Sequence, residues 1–309
     1  MSVIVPARDA AATIAATVRA LEAQDFRGEW ELILVDDGSS DDTVSVARAA
    51  GSERLTVLDG GGNGAAEARN RGIRTARAEL IAFTDADCAP THGWLSAGVA
   101  ALARADLVQG KVVPDPAQPL GPFDRTLWVE SARGFFETAN LFAHRQLFEQ
   151  VGYFDEWLRI GGRPFAEDLW FGWRAVRAGA RTAFEPAALV NHAVFARGPA
   201  GYIGERRRLA YFPAVARRVP EFRRGMFGRV FLTRRTAALD AALLGVVVAA
   251  LRRSPAPLAA ALPYASTVAR SARPYRRRAP LVAAVGVAAD LVGAAALVKG
   301  SARARSLVI

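Results

Sequence analysis

Two aspartates one residue apart, Asp85 and Asp87, end the apolar run Ile81-Ala82-Phe83-Thr84. A pair at that spacing can share a hard divalent cation, Mg2+ or Mn2+, with the oxygens of a diphosphate, because such ions take oxygen ligands and keep positions open for substrate phosphates. A second pair, Asp36-Asp37, closes the run Trp30-Glu31-Leu32-Ile33-Leu34-Val35 and leads into Gly38-Ser39-Ser40. An acid there can accept from a nucleobase N–H or hold a ribose hydroxyl; Asp37 is the candidate for that role, and Asp36 is read as structural. Glu167 and Asp168 stand as a pair of acids between Phe165-Ala166 and Leu169-Trp170-Phe171. His192, after Ala188-Leu189-Val190-Asn191, can offer an imidazole to a metal. Each of these groups also has a plain structural reading: a solvated Asp-x-Asp turn, a helix-capping loop, acids favoured by the dipole of a first helical turn, a packed histidine.

The elements that must carry these groups are legible as hydrophobic periodicity. Residues 2–6 read as a strand and about 10–24 as a helix, with Ile14, Val18 and Leu21 at helical spacing. A strand over 30–36 follows, then a helix to about residue 50 capped by Asp41 or Asp42, a strand over 55–58, a glycine-rich loop at 60–64, a helix over about 65–76, and the strand before Asp85. Strand and helix alternating through short connections predict an α/β domain with a mostly parallel sheet and right-handed crossovers, which binds ligands at the carboxyl edge of its strands. The loop at 60–64 lacks both the Gly-Lys-Ser/Thr of a phosphate-binding NTPase loop and the spacing of a dinucleotide fingerprint, so neither class is supported. Its glycines still allow close backbone approach to a phosphate at the helix that follows.

In their order and spacing, Val3-Ile4-Val5-Pro6, Val35-Asp36-Asp37-Gly38-Ser39-Ser40-Asp41-Asp42-Thr43, Gly64-Ala65-Ala66-Glu67-Ala68-Arg69-Asn70-Arg71-Gly72 and Thr84-Asp85-Ala86-Asp87 resemble the nucleotide-binding half of family 2 glycosyltransferases with the GT-A fold. Glu137-Thr138-Ala139-Asn140-Leu141-Phe142, Gly152-Tyr153-Phe154-Asp155-Glu156 and Phe165-Ala166-Glu167-Asp168-Leu169-Trp170 resemble the acceptor half. The resemblance covers roughly residues 1–195. It implies a Rossmann-like GT-A domain and inverting transfer of a sugar, of hexosyl type, from a nucleotide-diphosphate donor with Mg2+ or Mn2+. Carried over position by position, Pro6, Asp37, Arg69, Asp85 and Asp87 would bind nucleotide and sugar. Asp37 would meet the base, Asp85 the ribose or sugar, and Asp87 the metal beside His192. Asp168 would be the general base, with Glu167 orienting it or touching the acceptor, and Thr138, Asn140 and Trp170 would line the acceptor side. The Gln-x-x-Arg-Trp motif of processive synthases has no counterpart in residues 195–220, where Glu205-Arg206-Arg207-Arg208 stands, so processive extension is not expected. A nucleotidyltransferase on a similar scaffold and a non-catalytic nucleotide-sugar or membrane-binding protein are the alternatives.

Charge divides the chain. Residues 197–309 hold 21 of the 40 Lys and Arg but 4 of the 30 Asp and Glu, a balance of +17 against −7 for residues 1–196. The acidic front suits metal and sugar chemistry; the basic back, where arginine clusters alternate with Ala/Val/Leu runs at 237–251 and 280–298, suits a membrane surface rather than nucleic acid. Both runs fall slightly short of a bilayer span, so transmembrane, re-entrant and interfacial arrangements all stay open. The expected organisation is a catalytic domain over 1–196 (nucleotide-sugar half about 1–110, acceptor half about 111–196), a basic helical segment over 197–230, and apolar, membrane-associated helices over 231–309. Cys88 is the single cysteine, so no internal disulfide frames the fold. With no cleavable signal peptide at the start, the expected location is the cytoplasmic face of the cell membrane, with a lipid-linked or envelope-glycan acceptor and no nucleic acid partner.

Overall fold

Strand β1, Ser2–Ala7, has no exposed residue on either face, as befits a central strand of a parallel sheet covered by helices on both sides. The computed structural model that shows this describes residues 1–160 and 163–309. The chain continues through α1 (Ile14–Glu22), β2 (Glu31–Asp36), α2 (Thr43–Ala50), β3 (Leu55–Asp59), α3 (Ala65–Thr75), β4 (Leu80–Thr84) and β5 (Cys88–Pro90). Next come α4 (Trp94–Leu102), β6 (Leu107–Pro114), β7 (Asn140–His144), α5 (Arg145–Val151), the short ribbon strands β8 (Arg159–Ile160) and β9 (Arg163–Pro164), α6 (Glu167–Arg177) and β10 (Thr182–His192). Eight strands form one sheet in the order β3-β2-β1-β4-β7-β6-β10-β5. Neighbours run parallel except where β7 pairs with β4 and β6 and where β5 pairs with β10. This is the mostly parallel, helix-flanked α/β sheet that the periodicity predicts.

Alternation along the strands divides the core. Val3, Val5, Leu32 and Leu34 pack with α1, Trp94 and Phe142 on one side of the sheet, whereas Ile4, Ile33, Val35 and Phe83 pack with Ile73, Phe148 and Phe171 on the other. Each such aliphatic or aromatic side chain contributes about 1.5–3 kcal/mol on burial, and slipping one strand by a residue would exchange the two sets. On the second side, Phe148 stacks on Phe171 with centroids 4.5 Å apart, which docks α5 against α6.

Helix α2 shows how locally the acids are used. Its Asp42 occupies the N-cap position without a side-chain cap bond; Asp41 instead accepts from the backbone N–H of Thr43 at 3.0 Å and from that residue's hydroxyl.

Two compact units divide the chain: Met1–Leu120 with Thr126–Phe195, and Gly121–Arg125 with Ala196–Ile309. The second is helical, with α7 (Pro199–Glu205), α8 (Phe212–Arg218), α9 (Arg234–Arg252), α10 (Leu262–Ala272) and α11 (Ala279–Ala304) joined by 3-10 turns. The helical run Ala256–Ala304, kinked at Arg276 (φ 48°, ψ −112°), is long and apolar enough to cross a membrane by length and composition; its most apolar 18-residue stretch has a mean hydropathy of 2.3 and is 28% buried.

Candidate active site

The carboxyl ends of β2 and β4, the two strands flanking β1, deliver Asp37 and the Asp85-x-Asp87 pair to one edge of the sheet. Pro6 lies one residue from the end of β1, opposite Val35. Asp37 is buried, and its carboxylate accepts from the backbone N–H of Gly64 at 2.9 Å while the Arg8 guanidinium lies 3.7 Å away. Gly64 has φ 103° and ψ 162°, a region open essentially to glycine alone, so the loop at 60–64 is tied to β2 at the start of α3. Asp36 turns instead to its own loop and accepts from the Ser39 hydroxyl at 2.5 Å and its backbone N–H at 3.3 Å.

A buried arginine joins the two halves of the site. Arg69, on α3 and 6% exposed, donates from one nitrogen to Asp85 at 3.0 Å and from another to Glu167 at 3.2 Å, residues 16 and 98 positions away. Burial opposes its charge, yet Asp85, Glu167 and Asp168 together outweigh that and raise its pKa. The third guanidinium nitrogen, Nε, is buried without a hydrogen-bond partner.

Glu167 and Asp168 open α6, as expected, and the residue before them is held at a price in backbone strain: Ala166 sits in the left-handed region at φ 60°, ψ 27°. Asp168 is partly buried and accepts from the backbone N–H of Leu169 at 2.7 Å. Burial pushes its carboxyl well above the usual carboxylate range; Glu167 and then Glu137 push the same way, and Arg69 opposes them. Glu137, quoted above only as part of a motif, is therefore a member of the acidic cluster. Its own pKa is raised, chiefly by burial. It follows Phe136, which also has positive φ (57°), and the Phe136 ring packs so closely on Gly172 of α6 that a Cβ there would stand 2.1 Å from it. That contact registers Glu137 against the first turn of α6.

Asp87 meets His192 through strand pairing. In the β5–β10 ladder His192 lies opposite Cys88, and the Ala193 N–H donates to the Asp87 carbonyl at 2.9 Å. His192 Nε2 is 3.6 Å from the Asp87 carboxylate, and Cys88 Sγ completes a group whose ligand atoms all lie within 4.8 Å of one another. His192 Nδ1 faces the Ala193 carbonyl at 2.7 Å, with the Thr126 hydroxyl at 3.3 Å. A carbonyl can only accept, so Nδ1 carries the hydrogen and Nε2 presents its lone pair toward Asp87, the orientation that second-sphere partners impose on metal-binding histidines. Burial, and after it Asp85 and Asp87, hold the Cys88 thiol well above its ordinary pKa, and a soft sulfur ligand suits neither Mg2+ nor Mn2+. One carboxylate and one neutral imidazole, with positions left for phosphate oxygens, fit a divalent cation.

The three residues expected on the acceptor side are placed differently from one another. Thr138 is 3% exposed, just before β7. Asn140 is fully buried, and its amide is spent on the fold: it accepts from Trp94 Nε1 and donates to the carbonyls of Lys111 and Ala188, all at 2.8 Å. Trp170, on α6, has the guanidinium groups of Arg174 and Arg177 over its ring at 5.6 and 5.5 Å. Glu137 and Thr126 are the members that motif reading left unassigned; burial and cross-strand placement, which single them out, have no local sequence signal.

Residues 2–154 match the sequence profile of glycosyl transferase family 2. The chain is 31% identical over 219 residues to glycosyltransferase AglE of Haloferax volcanii, covering 66% of this chain and 68% of that protein. It is 29% identical over 213 residues to the pre-mycofactocin glycosyltransferase of Mycobacterium tuberculosis, covering 62% of this chain and 42% of the longer relative, so it spans less than half of that protein's length. Among solved structures it resembles the mannosyltransferase PcManGT from Pyrobaculum calidifontis in complex with GDP-Man and Mn2+, with a TM-score of 0.61 at 22% identity over 94% of this chain and 86% of that one. S. aureus TarS 1-349 in complex with UDP-GlcNAc gives a TM-score of 0.52 at 20% identity over 99% and 92%. At those identities the structural likeness speaks to the fold.

Proposed function

The chain belongs to glycosyl transferase family 2, and from that premise we propose that this glycosyltransferase moves a sugar, with inversion, from a nucleotide-diphosphate donor to a hydroxyl of a lipid-linked or envelope-glycan acceptor at the cytoplasmic face of a membrane. The observation that carries the reading is the cluster of Asp85, Glu167 and Asp168 around one buried arginine, with Glu137 acting on Asp168, at the carboxyl edge of the sheet. The donor class is supported by the GDP-Man and UDP-GlcNAc complexes of proteins that share the fold.

In this mechanism Asp37, fixed by Gly64, receives the base, and Asp85, fixed by Arg69, receives the ribose or sugar. Pro6 closes the floor of the nucleotide site at the end of β1. Asp87 and His192 would hold Mg2+ or Mn2+, which when bound supplies positive charge for the leaving diphosphate. Asp168 takes the proton of the acceptor hydroxyl as its oxygen bonds to the anomeric carbon and the bond from that carbon to the diphosphate oxygen breaks on the opposite face. A carboxylate whose pKa is raised toward the working pH is a stronger base than a solvated one. Burial first, then Glu167, held by Arg69, and Glu137 keep that pKa high. Thr138 and Trp170 shape the acceptor side, and Asn140 positions β7 without touching the acceptor.

The test is release of nucleoside diphosphate from a panel of UDP-, GDP- and dTDP-sugars with Mn2+ or Mg2+, then with EDTA, using membrane lipid extract as acceptor. One donor should react, with metal and only with the extract; binding of no donor even with metal would overturn the reading.

A further inference from the structure

Aliphatic side chains that the helical unit leaves uncovered concentrate on α9 and the connection after it. Helix α9 is apolar around most of its circumference: Leu239, Ala242 and Gly245 are buried, while Leu243 (42% exposed), Leu244 (64%), Val247 (53%) and Leu251 (79%) lie on another arc. A helix without a polar face belongs in a protein core or against lipid, and half of this one has no protein over it. Pro257 and Ala260 pack on Gly245, which brings the exposed Leu258 and Leu262 beside α9. The segment that carries this apolar face is strongly basic. Residues 241–289 contain seven arginines, from Arg252 to Arg278, all exposed, and no aspartate or glutamate. Exposed aliphatic groups among unopposed arginines match the acyl boundary and phosphates of an anionic bilayer.

A partly buried ion pair decides how the unit meets that bilayer. Asp290, near the middle of α11, accepts from Arg235 at 2.8 Å and from the Tyr264 hydroxyl at 2.8 Å. Gly293, one turn on, packs against Arg206 and Leu209. Arg235 belongs to the first turn of α9, next to Arg234. The start of α9 thus lies at the level of the middle of α11, a helix of 26 residues, about 39 Å long. Were α11 to cross a bilayer, Arg206, Arg234, Arg235 and Asp290 would all come near its centre, where charged side chains are costly and rare.

We propose that α9 and the α9–α10 connection lie in the plane of an anionic membrane surface, with Leu244, Val247, Leu251, Leu258 and Leu262 in the acyl boundary, and that neither α9 nor α11 crosses. The proposal rests on the membrane-held reading above and deepens it. Flotation of the full-length protein with vesicles of phosphatidylcholine alone, or of phosphatidylcholine and phosphatidylglycerol in equal parts, tests the surface. Binding should favour the anionic vesicles by at least about tenfold. The Leu244→Asp/Val247→Asp double variant should lose most of that binding at unchanged circular dichroism. Equal binding to neutral vesicles, or unimpaired binding of the double variant, would refute the surface. The in-plane arrangement is tested with Arg278→Cys and Arg303→Cys, at the two ends of α11, in spheroplasts treated with a bulky impermeant maleimide; the native Cys88 is buried. Both sites should react alike before lysis. Reaction at one end alone would establish a crossing and overturn the proposal. Nucleoside-diphosphate release on the same preparations reports separately on the enzyme reading.

Discussion

Asp168 is a carboxyl whose fold disfavours the charge that its proposed task requires. Its folded pKa is raised, first by burial and then by Glu167 and Glu137, so its contribution to stability is present below the unfolded carboxylate pKa and lost as pH rises through the folded value. Asp168→Asn removes that loss: thermal melts should show the variant more stable than wild type at neutral pH, with the difference fading on acidification. Removing Glu137's charge should act on the same group. In Glu137→Gln the rate of transfer, which rises with pH as the base loses its proton, should begin its rise at lower pH; a pH–rate profile with an unmoved acidic limb would contradict the coupling. Arg69 holds the opposite end of the balance. Arg69→Met leaves Asp85 and Glu167 without their shared partner and should destabilise the fold by about 3–5 kcal/mol at neutral pH, less in acid, as denaturant titration at two pH values would read.

At the scale of elements, α6 is positioned by close packing, with Phe171 stacked on Phe148 of α5 and Gly172 under the Phe136 ring. Gly172 leaves room for the Phe136 ring, 2.1 Å from where a Cβ would stand. Gly172→Ala should cost about 1–3 kcal/mol in overpacking and should lower kcat more than it raises donor KM, because it displaces Asp168 from Glu137 and leaves the nucleotide edge alone; steady-state kinetics with varied donor would separate the two. The β-α alternation, the acids at the ends of β2 and β4 and the first turn of α6 were legible because each is a local pattern: an apolar run that stops at carboxylates. Asn140 shows the limit. Its place in a motif says that the position is special, but only the ladder of β6, β7 and β10 reveals that its amide is consumed by Trp94, Lys111 and Ala188. Arg69, named in the motif reading as a donor-site residue, and Glu137 have roles hidden in the same way, since their partners lie on elements far along the chain and their burial follows from tertiary packing.

Over the whole molecule, acidic and basic residues follow the division into units: the sheet unit carries the acid cluster and the helical unit the uncovered arginines and aliphatics. The charge asymmetry was readable from composition. The offset of α9 against α11 was not, because the Arg235–Asp290 pair that reveals it joins residues 55 positions apart. The claim on which the enzyme reading turns is that Asp168 performs the chemistry while other residues bind the donor. Its most direct test is nucleoside-diphosphate release by wild type and Asp168→Asn on the reactive donor, with donor affinity measured on the same samples by calorimetry. Turnover should fall roughly a hundred- to ten-thousand-fold with donor affinity essentially retained; an Asp168→Asn enzyme that turns over at the wild-type rate would contradict the account.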